Sequence, residues 1–72
     1  MIAKGEILAF VSESEPATSA DVATGLAYVT RTGAAATLLR LYRQGHLRRE
    51  RHGARYLYVL SDKGRMWLSL FG

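Results

Sequence analysis

Seven arginines fall between residues 31 and 55, at positions 31, 40, 43, 48, 49, 51 and 55, opposed there only by Glu50. A guanidinium is planar and permanently charged, and it donates through several N–H groups at once. It therefore suits bidentate contact with phosphate oxygens or a guanine edge better than the point charge of lysine does. This stretch carries a formal charge of +6, whereas residues 1–30 set Lys4 against Glu6, Glu13, Glu15 and Asp21 and carry −3. A basic block joined to an acidic one is the electrostatic footprint of a surface that meets a polyanion.

Other chemistries find little support. His46 and His52 are the only histidines and there is no cysteine, so the roughly four ligands of a zinc site cannot be assembled. No Ser-His-Asp set, glycine-rich phosphate loop or paired-acid arrangement is present. The reading is a non-enzyme with no metal, no cofactor and no small-molecule substrate. The 72 residues, 49% of them hydrophobic, suit one small folded domain spanning residues 1–72. No apolar run reaches the roughly 18 residues of a membrane span. Glu6 stands where a signal peptide would continue its apolar core. The absence of cysteine fits a reducing compartment, so a cytoplasmic location without membrane contact is expected.

The arginines have to be positioned by local structure, and the apolar periodicity supplies it. Residues 2–11 predict a first helix with Ala3, Ile7, Phe10 and Val11 on one face. A polar connector follows, in which Pro16 allows at most an edge strand. Thr18 or Ser19 is placed to cap a second helix, with Asp21 in its first turn and Val22, Ala23 and Leu26 as its stripe. That helix fades near Ala27 or Tyr28, and Tyr28 and Val29 are expected to wedge the angle to the next one. Thr30 caps the third helix, residues 30–44, whose apolar face carries Ala34, Leu38, Leu41 and Tyr42. Its other face carries Arg31, Thr32, Ala35, Ala36, Arg40 and Arg43, cationic at both ends and stripped of bulk between. Two helices so closely joined form a helix-turn-helix.

After Gly45 the period shortens. Residues 46–51 and 55–60 read as strands joined by His52, Gly53 and Ala54, a hairpin with Arg48, Arg49, Arg51 and Arg55 near its free end. The second strand is apolar on both faces, so it needs cover on both. Ser61 caps a last helix, residues 62–71. Met66, Trp67, Leu70 and Phe71 on it exceed what one small core can bury. They predict a dimer surface, with Trp67 and Leu70 as the residues that would otherwise close the core.

The succession of Val22-Ala23, Leu26, the capped third helix, Leu41-x-x-x-Gly45-x-Leu47-x-Arg49, the basic hairpin and Tyr58-x-Leu60-Ser61-x-Lys63-Gly64 resembles winged helix-turn-helix domains of the MarR and PadR types. The resemblance spans roughly residues 17–65. It implies an α+β, mostly α fold with a three-helix core, a β-hairpin wing and a C-terminal helix. It implies a transcriptional regulator that binds double-stranded DNA as a homodimer, with helix 30–44 in the major groove and the 46–60 wing on the backbone or minor groove. Carried over by position, Arg31, Thr32, Ala35, Ala36 and Arg40 face the groove, and Arg51, His52, Gly53 and Arg55 lie on the wing. Arg40 and Arg43 are phosphate candidates by charge and place, and Arg49 belongs to the same expected DNA-binding set. The sequence departs from the pattern in a longer step between the second and third helices, in Gly33 inside the third helix, and in lacking a long flanking helix. The alternative is a winged helix that serves as a protein-interaction module in a larger nucleoprotein assembly. A third reading has Tyr56 and Tyr58 stacking on RNA bases instead of packing into the core.

Overall fold

Three side-chain hydroxyls start three of the four helices. The computed structural model describes residues 4–26 and 30–71. In them the elements run α1 (Lys4–Ser14), α2 (Ser19–Gly25), α3 (Arg31–Arg43), β1 (Leu47–His52), β2 (Arg55–Leu60) and α4 (Asp62–Phe71). At α2 the Asp21 N–H donates to Thr18 Oγ1 at 3.1 Å while the Thr18 N–H donates to the Asp21 carboxylate at 3.0 Å. This reciprocal pair satisfies two amides that the helix leaves free. At α3 the Gly33 N–H donates to Thr30 Oγ1 at 3.0 Å, so the helix begins where the sequence places it. A Cβ on Gly33 would stand 3.0 Å from the capping oxygen, a close approach that a small shift of the Thr30 hydroxyl relieves. At α4 the Gly64 N–H donates to Ser61 Oγ at 3.1 Å, and the same hydroxyl donates to the Gly45 carbonyl. One serine thus ties the start of α4 to the end of α3.

Gly45, at φ 87°, ends α3 in the left-handed region, where a residue without a Cβ is strongly favoured. The chain then turns straight into β1. The strands pair antiparallel from Leu47↔Leu60 to His52↔Arg55. His52 therefore belongs to the ladder, and the turn is Gly53-Ala54 alone, shorter than the three-residue connection expected. Gly53 takes φ 64° as its first residue, and such a two-residue turn matches the twist of the strands it joins. On the far side of β2, Ala17 exchanges backbone hydrogen bonds with Tyr58 at 3.0 and 2.8 Å. The connector after Pro16 thus makes a one-residue edge, and β2 is flanked on both sides.

The buried cluster joins Ile7, Leu8 and Val11 of α1, Val22 of α2, Ala34, Leu38 and Leu41 of α3, and Leu47, Tyr58 and Leu60 of the hairpin. Several expectations are corrected. The first helix runs to Ser14 and not Val11. Leu8 is fully buried, while Phe10 packs on the cluster's edge. Tyr42 is not a core residue: it is 38% exposed, and Thr37 is buried on α3 in addition to the three apolar residues. Leu70 does not close the core, being 69% exposed, whereas Trp67 and Leu68 pack against it. Ala3, Ala27, Tyr28 and Val29, with the wedge expected of the last two, lie outside the described residues. No described helix is long and apolar enough to cross a membrane.

At the base of the hairpin His46 is only 4% exposed, and among the described residues its Nδ1 has no hydrogen-bond partner. The ring meets Trp67 edge-on, with centroids 6.2 Å apart. Burial first, and then the charges of Lys4 and Lys63, lower its pKa below 6.5. The His46 carbonyl accepts from the Ser61 N–H at 3.0 Å and lies over the first turn of α4, so that a Cβ on Gly64 would sit 2.1 Å from its oxygen.

Gly64→Ala should lower stability by about 1–3 kcal/mol, the usual cost of overpacking, read as a lower urea midpoint. Gly5→Ala, which meets only Trp67 at 3.5 Å, should be tolerated or stabilise by up to about 1 kcal/mol. The unfolded chain binds a proton at His46 near pH 6.5, and the folded chain binds it only at lower pH. Folding stability should therefore fall as the pH drops through 6.5 and below. His46→Phe should flatten that part of the stability–pH profile measured by urea denaturation.

Candidate nucleic-acid interface

Burying Ala34, Thr37, Leu38 and Leu41 turns the rest of α3 outward. Arg31, Thr32, Ala35, Ala36, Arg40 and Arg43 are all exposed, as the helical spacing predicts. The start of this face meets the hairpin across a groove of about 170 Å³ lined by Ser19, Arg31, Ala35, Ala54, Arg55, Tyr56 and Tyr58. The fold thus brings two arginines far apart in sequence, Arg31 and Arg55, to one groove, with the small Ala35 in its floor. A smaller depression beside it again joins Arg31 and Arg55, with Thr18, Ser19 and Ala20. Among the described residues Arg65 pairs with Glu15 at 3.3 Å, and His52 Nε2 lies 3.2 Å from the Glu50 carboxylate. Arg31 and Arg55 take part in neither, and their charge is left to face solvent or an anion.

The hairpin sorts its basic residues by face, because side chains alternate along each strand. The register puts Leu47, Arg49 and Arg51 on the side of Tyr56, Tyr58 and Leu60, and Arg48, Glu50 and His52 on the side of Leu57 and Val59. His52 is held by Glu50 on that second side. With Pro16, Leu57 and Val59 these residues border a separate open depression of about 410 Å³. Arg51 folds back over the tip, its Nε donating to the Gly53 carbonyl at 3.1 Å. Of the four wing residues expected to act together, Arg55 joins the α3 groove although the register sets it opposite His52, Arg51 and Gly53 form the tip, and His52 borders the second depression.

Arg49 is placed differently again. Its guanidinium carbon lies 4.2 Å from the ring centre of Tyr42 and 4.0 Å from that of Tyr56. The planar cation is stacked between an α3 residue and a β2 residue. Tyr56 itself is 36% exposed beside the groove, whereas Tyr58 is buried, so the two tyrosines expected to share a core role have separate ones. Ser19 and Tyr56 are groove residues that helical periodicity does not reveal. The hairpin register, once the turn is known, would have placed Tyr56 on the Arg49 side.

The last helix, α4, presents Met66, Leu70 and Phe71, exposed by 66, 69 and 71%. Trp67 points the other way: it packs on the body, with Lys4 Nζ 5.1 Å above its ring, although its edge still meets Phe71 at 5.3 Å between centroids. Of the four residues predicted to form a dimer surface, three are open and one is half-buried.

The helical core, the closely packed α2 and α3, the hairpin and the closing helix make a winged helix-turn-helix, arranged as in MarR-type transcriptional regulators. The structure of Streptococcus pneumoniae FabT in complex with DNA superposes with a TM-score of 0.82 over 92% of this chain and 48% of that one, at 23% identity. The transcriptional regulator SlyA gives 0.80, again over 92% and 48%, at 25% identity. MarR gives 0.79 over 96% and 53%, at 22% identity. The chain thus spans about half the length of these proteins, and at such identities the likeness is one of fold. No protein-family model and no curated protein matches the sequence.

Proposed function

We propose that this chain is a sequence-preferring double-stranded DNA-binding domain of a small transcriptional regulator, a non-enzymatic unit in which all 72 residues serve one winged helix. The observation that carries the reading is the groove in which Arg31 and Ala35 of α3 meet Arg55 of the wing. It sits on the exposed cationic face of a helix whose other side is buried. The shared fold with FabT, solved bound to DNA, supports the same assignment.

In this reading α3 enters the major groove with Arg31, Thr32, Ala35 and Ala36 towards the base edges. The alanines give clearance and can meet a thymine methyl, while Arg31 can pair with a guanine. Arg40, Arg43, Arg51 and Arg55 take phosphates, which set orientation and carry no sequence information. The acidic half of the chain, with Glu6, Glu13 and Asp21 exposed, faces away from the duplex. Met66, Leu70 and Phe71 pair two copies into a homodimer, so that two α3 helices meet two half-sites.

The exposed α4 face also favours the second reading, a winged helix that docks on another protein within a nucleoprotein assembly. The two readings differ in which residues matter. On the first, anisotropy titrations with a labelled duplex should show log K falling with log salt at a slope of about −4 to −5, as expected for roughly five phosphate contacts. Arg55→Ala should weaken all duplexes alike, while Arg31→Ala should narrow the gap between preferred and random sequences. Absence of duplex binding at low salt would sink this reading. Phe71→Ser with Leu70→Ser should convert a dimer to a monomer in analytical ultracentrifugation without unfolding it, because both side chains are exposed. A species that sediments as a monomer before and after substitution would refute the pairing through α4.

A further inference from the structure

Arg49 differs from every other arginine of the basic block in what surrounds it. Two aromatic rings lie against its guanidinium, Tyr42 at 4.2 Å and Tyr56 at 4.0 Å. It takes part in neither the Arg65–Glu15 pair nor the His52–Glu50 contact. The three partners belong to three elements: Tyr42 to the last turn of α3, Arg49 to the middle of β1, and Tyr56 to the start of β2. Within the sheet Arg49 stands opposite Tyr58, and Tyr56 is its diagonal neighbour on the same face, close enough for large side chains to touch. Tyr42 meets Arg49 from outside the sheet, in its exposed position on the last turn of α3.

We propose that Arg49 is a positioning residue for DNA binding and not a DNA contact. Clasped between Tyr42 and Tyr56, its guanidinium fixes the angle of the wing against α3. The proposal rests on the DNA-binding reading above and assigns Arg49 a different part in it from its neighbours. The joint between α3 and β1 is a single left-handed glycine followed by His46, and the hairpin is a two-stranded ribbon. Such a ribbon has marginal stability of its own. Beside the buried Tyr58 and the Ala17 bridge, this stack is a further tie between the outer half and α3. If the wing swings, Arg55 leaves the groove it shares with Arg31, and the two halves of the basic surface no longer address one duplex together. A flat cation between two aromatic faces resists that motion, because tilting either ring costs the stack its contact. Lysine cannot replace it, since an ammonium lacks the planar surface that both rings cover.

The test separates positioning from contact by chemistry and by salt. Duplex affinity is measured by fluorescence anisotropy from low to moderate salt for the full chain and for Arg49→Lys, Tyr42→Leu, the double variant, Tyr42→Phe and Arg49→Gln, each checked for folding by circular dichroism. Positioning predicts that Arg49→Lys and Tyr42→Leu each weaken binding by about fivefold. The double variant should then lose little more, and all should keep the wild-type salt slope. Tyr42→Phe, which keeps the ring, should bind as wild type. The proposal is overturned if Arg49→Lys binds like wild type, or if the neutral Arg49→Gln lowers the slope by about one unit as a lost phosphate contact would. It is equally overturned if Tyr42→Leu has no effect. Should the wild-type chain bind no duplex, the DNA reading fails, and NMR of the free protein decides the clasp. The Arg49 side-chain protons should be shifted upfield by the two rings and should return towards random-coil values in Tyr42→Leu. Unshifted protons in the wild type would overturn it.

Discussion

The basic face of this protein depends on what one helix buries behind it. Ala34, Leu38 and Leu41 pack without exposed surface against Ile7, Leu8, Val11 and Val22. In so small a domain that apolar contact is most of the core there is. It fixes the rotation of α3, so that the alanines and arginines on its far side face outward together. Leu47 and Leu60 extend the same cluster to the base of the hairpin, and from that base the wing is carried towards the start of α3. Loosening the stripe would scramble the cationic surface before it disturbed any one arginine.

Electrostatics then acts on a geometry that packing has set. The first two helices carry the chain's acidic excess and the later elements its basic one. A duplex approaching from solution would feel an oriented field and not a uniform one. Even so, net charge does not decide the role of each arginine. Arg31 and Arg55 are free to take an anion, Arg51 is turned over its own tip by the Gly53 carbonyl, and Arg49 is occupied by two rings. Arg65 is paired with Glu15, whose carboxylate also accepts from the Leu60 N–H at 2.7 Å. It therefore serves the edge of the sheet, far in role from the basic block.

Much of this was legible in the residues because it is local. The hydroxyl caps at Thr18, Thr30 and Ser61, the glycine stop at position 45, and the hairpin around Gly53 follow from short-range backbone chemistry, and each lies within a residue or so of its expected place. The outward face of α3 was readable from helical spacing alone. What escaped was set by contacts between elements. Tyr42 satisfies the helical spacing of a core residue, yet it lies exposed against a cation seven positions away. Leu70 continues an apolar run but falls on the wrong side of α4. The burial of His46 and the Ala17–Tyr58 bridge exist only once α4 and the connector have closed on the hairpin. Neither leaves a periodic trace. The wing was legible as a basic hairpin, but the sorting of its charges between two faces required the register.

The reading stands most directly on where a duplex touches the protein. An amide chemical-shift map of the labelled chain titrated with a short duplex would locate that contact residue by residue. Binding through the shared groove predicts shifts concentrated on the exposed face of α3 from Arg31 to Arg40 and around Gly53 to Tyr56, with α1 and the Met66, Leu70 and Phe71 face unmoved. Shifts centred on α4, or spread evenly with none preferring α3 and the wing, would contradict it.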